Sequence, residues 1–109
     1  MIWRIRDHAT FVAFARSPSR RSGAISVRRI GGSAESPPRV AYALGKRVGD
    51  APTRNRLRRR LRAAVRELDS ELVGGSAYLI AARPEAVLMS KTQIEVALTE
   101  TFRALRGEA

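Results

Sequence analysis

Residues 54–66 read Arg-Asn-Arg-Leu-Arg-Arg-Arg-Leu-Arg-Ala-Ala-Val-Arg, seven arginines in 13 positions with no acidic residue among them. Guanidinium groups present planar forks of donors that match phosphate oxygens, and they stack on bases. At helical spacing, Leu57, Leu61, Ala64, Val65, Leu68 and Leu72 share one side of this segment. Arg56, Arg58, Arg59, Arg60, Arg62 and Arg66 share the other, and Arg54 lies toward the apolar side in the first turn, where it can extend past the core. A solvated helix face normally alternates signs to gain i,i+4 pairs. Here Arg54/Arg58, Arg56/Arg60, Arg58/Arg62 and Arg62/Arg66 are like-charge pairs, each repelling by a few tenths of a kcal/mol. Cations near the helix start also oppose the macrodipole, by roughly 0.3–1 kcal/mol each. The isolated helix therefore carries an electrostatic penalty that a polyanion relieves.

Readers of the DNA major groove mix Asn, Gln, Ser and Arg along the base-facing side, whereas this segment has Asn55 alone among its arginines. Dense arginine with little variety suits a phosphate-rich surface recognised by shape, as in folded RNA, and DNA is not expected as a partner. Phe11, Phe14 and Tyr42 are available as stacking platforms for single-stranded bases. Core positions are the simpler reading for at least two of the three.

Nothing in the sequence offers protein-based catalysis. A metal-dependent nuclease needs clustered carboxylates or histidines, and the acidic residues are scattered at 7, 35, 50, 67, 69, 71, 85, 95, 100 and 108. Asp69 and Glu71 are the closest group and read as a solvated helix end, while His8 is a lone, exposed imidazole. No Ser/His/Asp set or phosphate-cradling glycine loop occurs. The expectation is no catalytic residue and no metal ligand.

The elements that must hold the arginine helix come from a small chain. It has 109 residues, 21 basic and 10 acidic, for a net charge of +11, and reads as a single domain over 1–109. Apolar residues make up 44%, but 17 of them are Ala, so the core is modest. The absence of Cys excludes disulfide scaffolds, zinc ribbons and thiol chemistry. No apolar run approaches the ~20 residues of a membrane span and no signal peptide is evident, so a cytoplasmic protein is expected. Nineteen of the basic residues are Arg; a GC-rich coding bias explains that ratio, and position carries the argument instead.

Asp7 to Arg16 reads as a short helix capped by Asp7, with Phe11 and Phe14 on one face. Residues 19–23 read as a basic loop, 24–30 as a strand, and Gly31 to Pro38 as a turn or hairpin connection. A second strand over 39–45 places Val40, Tyr42 and Leu44 on one face. Asp50 caps the arginine helix, with Pro52 in its first turn, and Gly74-Gly75 follows its end near Leu72. A buried strand over 77–82 and a helix over roughly 90–105 complete a mixed α/β sandwich of one sheet and covering helices.

Lys46-Arg47-Val48-Gly49-Asp50-Ala51 followed by Arg54-Asn55-Arg56 resembles the signature of the bacterial ribonuclease P protein family. That signature is a strand ending in two basic residues, a hydrophobic residue, Gly-Asn-Ala, and a helix opening with Arg-Asn-Arg. Arg4-Ile5-Arg6 with Phe11 and Phe14, Arg39-Val40, and Ala81-Ala82-Arg83-Pro84 are similar to further family segments in the same order. Asp50 stands for the usual Asn, Ala41 for the usual Gly, and Gly45 for a frequent Ser.

The resemblance implies an α+β two-layer sandwich, a small mixed sheet with about three helices and a left-handed βαβ crossover, against the usual right-handed rule. It implies an accessory subunit of an endoribonuclease whose RNA subunit, with bound Mg²⁺ and no organic cofactor, removes the 5′ leader of precursor tRNA. Arg54, Asn55, Arg56, Arg58, Arg59 and Arg62 would then bind the catalytic RNA. Phe11, Phe14, Lys46, Arg47 and Arg83 would line a cleft for the leader, with Arg20 and Arg21 also left over for the substrate strand. Two other readings account for the charge: a ribosomal or other structural RNA-binding protein, and a cationic helix lying on anionic lipid. The second would need the helix's apolar face, which the core requires, so no membrane partner is expected.

Overall fold

Two capping side chains set the long helices of the computed structural model, which describes residues 1–32 and 35–107. Asp50 accepts from the Thr53 N–H at 2.9 Å and opens α2 (Ala51–Glu67), where Pro52 sits in the first turn and no N–H is missed. Ser90 and Gln93 form a reciprocal capping box at the head of α3 (Lys91–Arg106). The short α1 (His8–Ala13) is capped by Asp7 and runs on as a 3-10 turn over Phe14–Arg16.

Five strands form one mixed sheet: β1 (Trp3–Arg4), β2 (Ser19–Ser22), β3 (Ile25–Ile30), β4 (Arg39–Ala43) and β5 (Ala77–Ala82), in the order β1-β4-β5-β3-β2. β4 runs parallel to both β1 and β5, and β3 is antiparallel to β5 and β2. α2 is therefore the crossover between the adjacent parallel strands β4 and β5, a βαβ unit.

Strand alternation sorts the side chains onto two faces. Ile25 and Val27 of β3, Val40 of β4, and Tyr78 and Ile80 of β5 pack against α2 and α3 with Leu57, Leu61, Leu98 and Phe102. The Tyr78 and Phe102 rings meet edge to face at 5.3 Å. The opposite face carries a smaller cluster of Ile5, Phe14 and Ala77, flanked by Ile30, Ala41 and Leu79. Arg29 also lies on the helix side, 8% exposed. It donates to the Ser76 hydroxyl and to the Leu105 carbonyl, both at 2.9 Å, placing a cation at the α3 C-terminus where the helix dipole favours it.

Several expectations are corrected. Residues 19–22 are a strand, not a loop: Ser19 to Ser22 pair with Arg28 to Ile25 through a tight turn at Gly23, whose φ is 58°. Trp3–Arg4 adds a further edge strand. The connection from Gly31 to Pro38 does not close a hairpin, because β5 lies between β3 and β4; Ser33 and Ala34 of that connection fall outside the described residues. α2 stops at Glu67, and a separate 3-10 turn over Asp69–Glu71 carries the chain to the buried Leu72.

Candidate nucleic-acid interface

α2 buries Leu57, Leu61, Ala64 and Val65 against the sheet. With that face committed to the core, the helix has no apolar surface left to lay on lipid, and none of the described helices is long and apolar enough to cross a membrane. Asn55, Arg56, Arg59, Arg62 and Arg66 are exposed on the outer side, and Arg58 is half-buried beside them. Among the described residues, no carboxylate forms an ion pair with any of the seven arginines of this helix. Acids elsewhere in the chain are committed: Glu71 to Arg103 and Arg106, Asp7 to Arg39, Glu67 to Lys91. The α2 surface keeps its positive charge with no ion-paired carboxylate among the described residues.

Individual residues on it are tuned differently. Asn55 accepts from the Arg58 Nη1 at 2.7 Å and so orients that guanidinium. Arg54, half-buried, reaches back to the Gly49 carbonyl at 3.4 Å. Arg60 departs from the helical-wheel expectation. It is half-buried and donates to the backbone carbonyls of Val87 and Met89, tying α2 to the 3-10 turn Pro84–Leu88, so its charge serves the fold. Asp50 sits beside the first-turn arginines. Hydrogen bonds from the Thr53 hydroxyl and N–H, with Arg54 and Arg56 nearby, hold its carboxyl below the usual range, so it remains ionised as the cap.

The second surface is the opposite side of the sheet. Its middle is floored by small or half-buried side chains, Ala41 and Ala43 of β4, Leu79 and Ala81 of β5 and Ser26 of β3, which pair across the strands on this face. α1 covers one end. There Phe11 is 42% exposed and meets Phe14 edge to face at 6.3 Å, while Phe14 is only 2% exposed. Phe14 is thus the buried support and Phe11 the ring at the surface, which corrects the expectation that both line a cleft. Arg28 fixes this end by donating to the Phe14 and Ser17 carbonyls, each at 3.3 Å.

Lys46 and Arg47 follow β4 in a 3-10 turn, and Arg83 follows β5; all three are exposed. Because β4 and β5 are parallel neighbours, these cations gather at the strands' C-terminal end. Pairing with Ser26 puts Arg21 on the same face, and pairing with Val27 puts Arg20 on the other. Tyr42 pairs with Ile80 and belongs to the α2 side, so it is not a platform on this face.

A family model described as Ribonuclease P matches residues 2–106. The chain belongs to the ribonuclease P protein family. A ribonuclease P protein component of a Nocardioides species is 36% identical over 95 residues, covering 84% of this chain and 80% of that relative. One from Thermobifida fusca is 39% identical over 78 residues, covering 69% of this chain; the match spans 53%, about half, of that relative's length. The fold is that of the Staphylococcus aureus RNase P protein, with a TM-score of 0.80 at 22% identity over 95% of each chain.

The family motif residues occupy one joint of this fold. Lys46 to Asp50 turn the chain from β4 into α2, and Gly49 takes φ 151° there, with the Cβ position 2.9 Å from Thr53 Cγ2. Glycine is the residue that joint accepts. A groove between β1 and α2 brings Arg4, Arg6 and Arg66 near Tyr42, Arg58 and Arg62; the sequence puts Arg66 on the basic face of α2 but does not join Arg4 and Arg6 to it. The signal that could have found them is the Arg-Ile-Arg alternation at 4–6, which puts two cations beside one edge strand.

Proposed function

We propose that this chain is the protein subunit of a ribonuclease P ribonucleoprotein. In this reading it binds the catalytic RNA and the 5′ leader of precursor tRNA, and assists RNA-catalysed, Mg²⁺-dependent removal of the leader. The carrying observation is the α2 outer face, exposed arginines with no carboxylate partner among the described residues, next to a joint that bears the family motif.

Asn55, Arg56, Arg58, Arg59 and Arg62 hold phosphates of the catalytic RNA, with Arg54 steadying the joint. The sheet face floored by Ala41, Ala43 and Ala81 is the surface over which an extended strand would lie. Phe11 offers a base-stacking ring at one end, and Lys46, Arg47 and Arg83 offer phosphate contacts at the other. Among the described residues no three His, Cys, Asp or Glu side chains come together as a metal site. This reading assigns Mg²⁺ mainly to the RNA.

The test is the salt dependence of binding to ribonuclease P RNA. Log Kd should vary linearly with log salt, and the slope should fall when α2 outer-face arginines are removed, as counterion release requires. Equal affinity for ribonuclease P RNA and an unrelated structured RNA of the same length would favour a general structural RNA-binding protein.

A further inference from the structure

A groove of about 730 Å³ runs between the edge strand β1 and α2, within the ~300–1,000 Å³ range of small-ligand sites. Its apolar lining includes Ile2, Val40, Tyr42 and Val65, and five arginines, Arg4, Arg6, Arg58, Arg62 and Arg66, surround it. Among the described residues, Asp69 is the one carboxylate in the lining. Arg4, Arg6 and Arg66 make no hydrogen bond or ion pair with any described residue, and Arg62 makes only a cation–π contact. That contact is loose: the guanidinium carbon stands 5.7 Å from the Tyr42 ring centre, near the ~6 Å limit at which such contacts count.

We propose that this groove takes one unpaired nucleotide of the partner RNA, its base against the Tyr42 ring and its phosphates on Arg4, Arg6 and Arg66. The inference rests on the reading that the α2 face docks on ribonuclease P RNA, and it adds a pocket to that face. A bare phosphate would match the arginines but leave the apolar lining unused. A base-paired stretch would offer phosphates but keep its base faces stacked inside the helix. An extruded nucleotide uses both parts. Arg62, held by nothing else, is free to move from the ring onto the outer face of the base, a stacking mode open to guanidinium planes. Burial pushes the Tyr42 hydroxyl up to about 12 in spite of Arg62 and Arg66, so it stays protonated and able to donate. It has no hydrogen-bond partner among the described residues.

The test compares Kd for ribonuclease P RNA between the full chain and its Tyr42→Phe, Tyr42→Leu, Arg6→Gln and Arg56→Ala variants, with thermal melting as the check on folding. Tyr42→Leu should weaken binding about 5- to 150-fold, the value of one base stack, and Tyr42→Phe should keep most of the affinity. Arg6→Gln should make the salt slope shallower by about one unit. Ultraviolet cross-linking of the wild-type complex should leave a nucleotide on Tyr42, in the tryptic peptide Val40–Lys46. Wild-type affinity in Tyr42→Leu, with Arg56→Ala weakened, would overturn the groove and leave the docking reading intact. Unweakened binding in both variants would overturn both. If Tyr42→Leu fails to fold, an unmodified Val40–Lys46 peptide together with an unchanged Arg6→Gln slope overturns the groove.

Discussion

Arg103 donates from Nε and Nη2 to the two carboxylate oxygens of Glu71, at 3.1 and 2.9 Å. Arg106 adds a third contact at 3.1 Å. α3 is thereby fastened to the 3-10 turn that follows α2, and an acid is spent on arginines distant in sequence from the α2 run. The Arg103 hydrogen bonds hold the Glu71 carboxyl below its ordinary range, and Thr10 and Thr53 do the same for Asp7 and Asp50. A depressed native pKa contributes stability above the unfolded carboxylate value, and the contribution is lost as pH falls through the native one. Thermal stability should therefore be flat from about pH 7 to 5 and fall below about pH 4. Glu71→Gln should lower Tm at pH 7 and flatten the acid limb, which melting curves across that range would check.

Arg56 and Arg60 sit on one helix and have separate roles. Arg56→Ala should leave Tm unchanged and reduce the salt slope of RNA binding by about one unit. Arg60→Ala should cost about 1–2 kcal/mol of stability, because two backbone carbonyls lose a charged donor, and should leave the slope unchanged. Paired melting and binding titrations separate the two.

The two phenylalanines of the α1 region divide in the same way. Phe14→Ala removes a ring that is 2% exposed and should cost about 3–5 kcal/mol. Phe11→Ala should leave the fold close to wild type and weaken affinity for precursor tRNA only when the 5′ leader is present. Substrates with and without the leader make that comparison direct.

Gly49→Ala should destabilise by roughly 1–3 kcal/mol, the usual cost of a side chain in such a backbone region. The added Cβ would also meet Thr53 Cγ2 at 2.9 Å. Thr53→Ser removes that methyl and should recover part of the loss, leaving the φ strain. Denaturant titrations of the single and double variants would measure the two contributions.

How much was legible in the sequence follows from where pattern alone decides. α2, α3, β3 and β5 were readable because apolar spacing and caps agree with the fold, and the basic character of α2 needed only the wheel. β2 was not, because Ser-Arg-Arg-Ser carries no apolar alternation; its strand geometry comes from the backbone pairing that β3 offers. β1 has two residues, too few for any period to show. Arg60 was misplaced because a wheel treats all outward positions alike, and only the packing of the Pro84–Leu88 turn reveals which one meets carbonyls. Phe11 and Phe14 share a helical face by spacing, but exposure depends on how far α1 overlaps the sheet. The β1–α2 groove joins residues about 60 apart in sequence, a juxtaposition that no local pattern encodes.

Precursor-tRNA cleavage by ribonuclease P RNA at limiting Mg²⁺, with and without this chain, is the decisive measurement. The chain should accelerate leader removal, and removing Arg56, Arg59 and Arg62 together should abolish the stimulation. Tight binding to the RNA with no change in cleavage rate would rule out a ribonuclease P subunit.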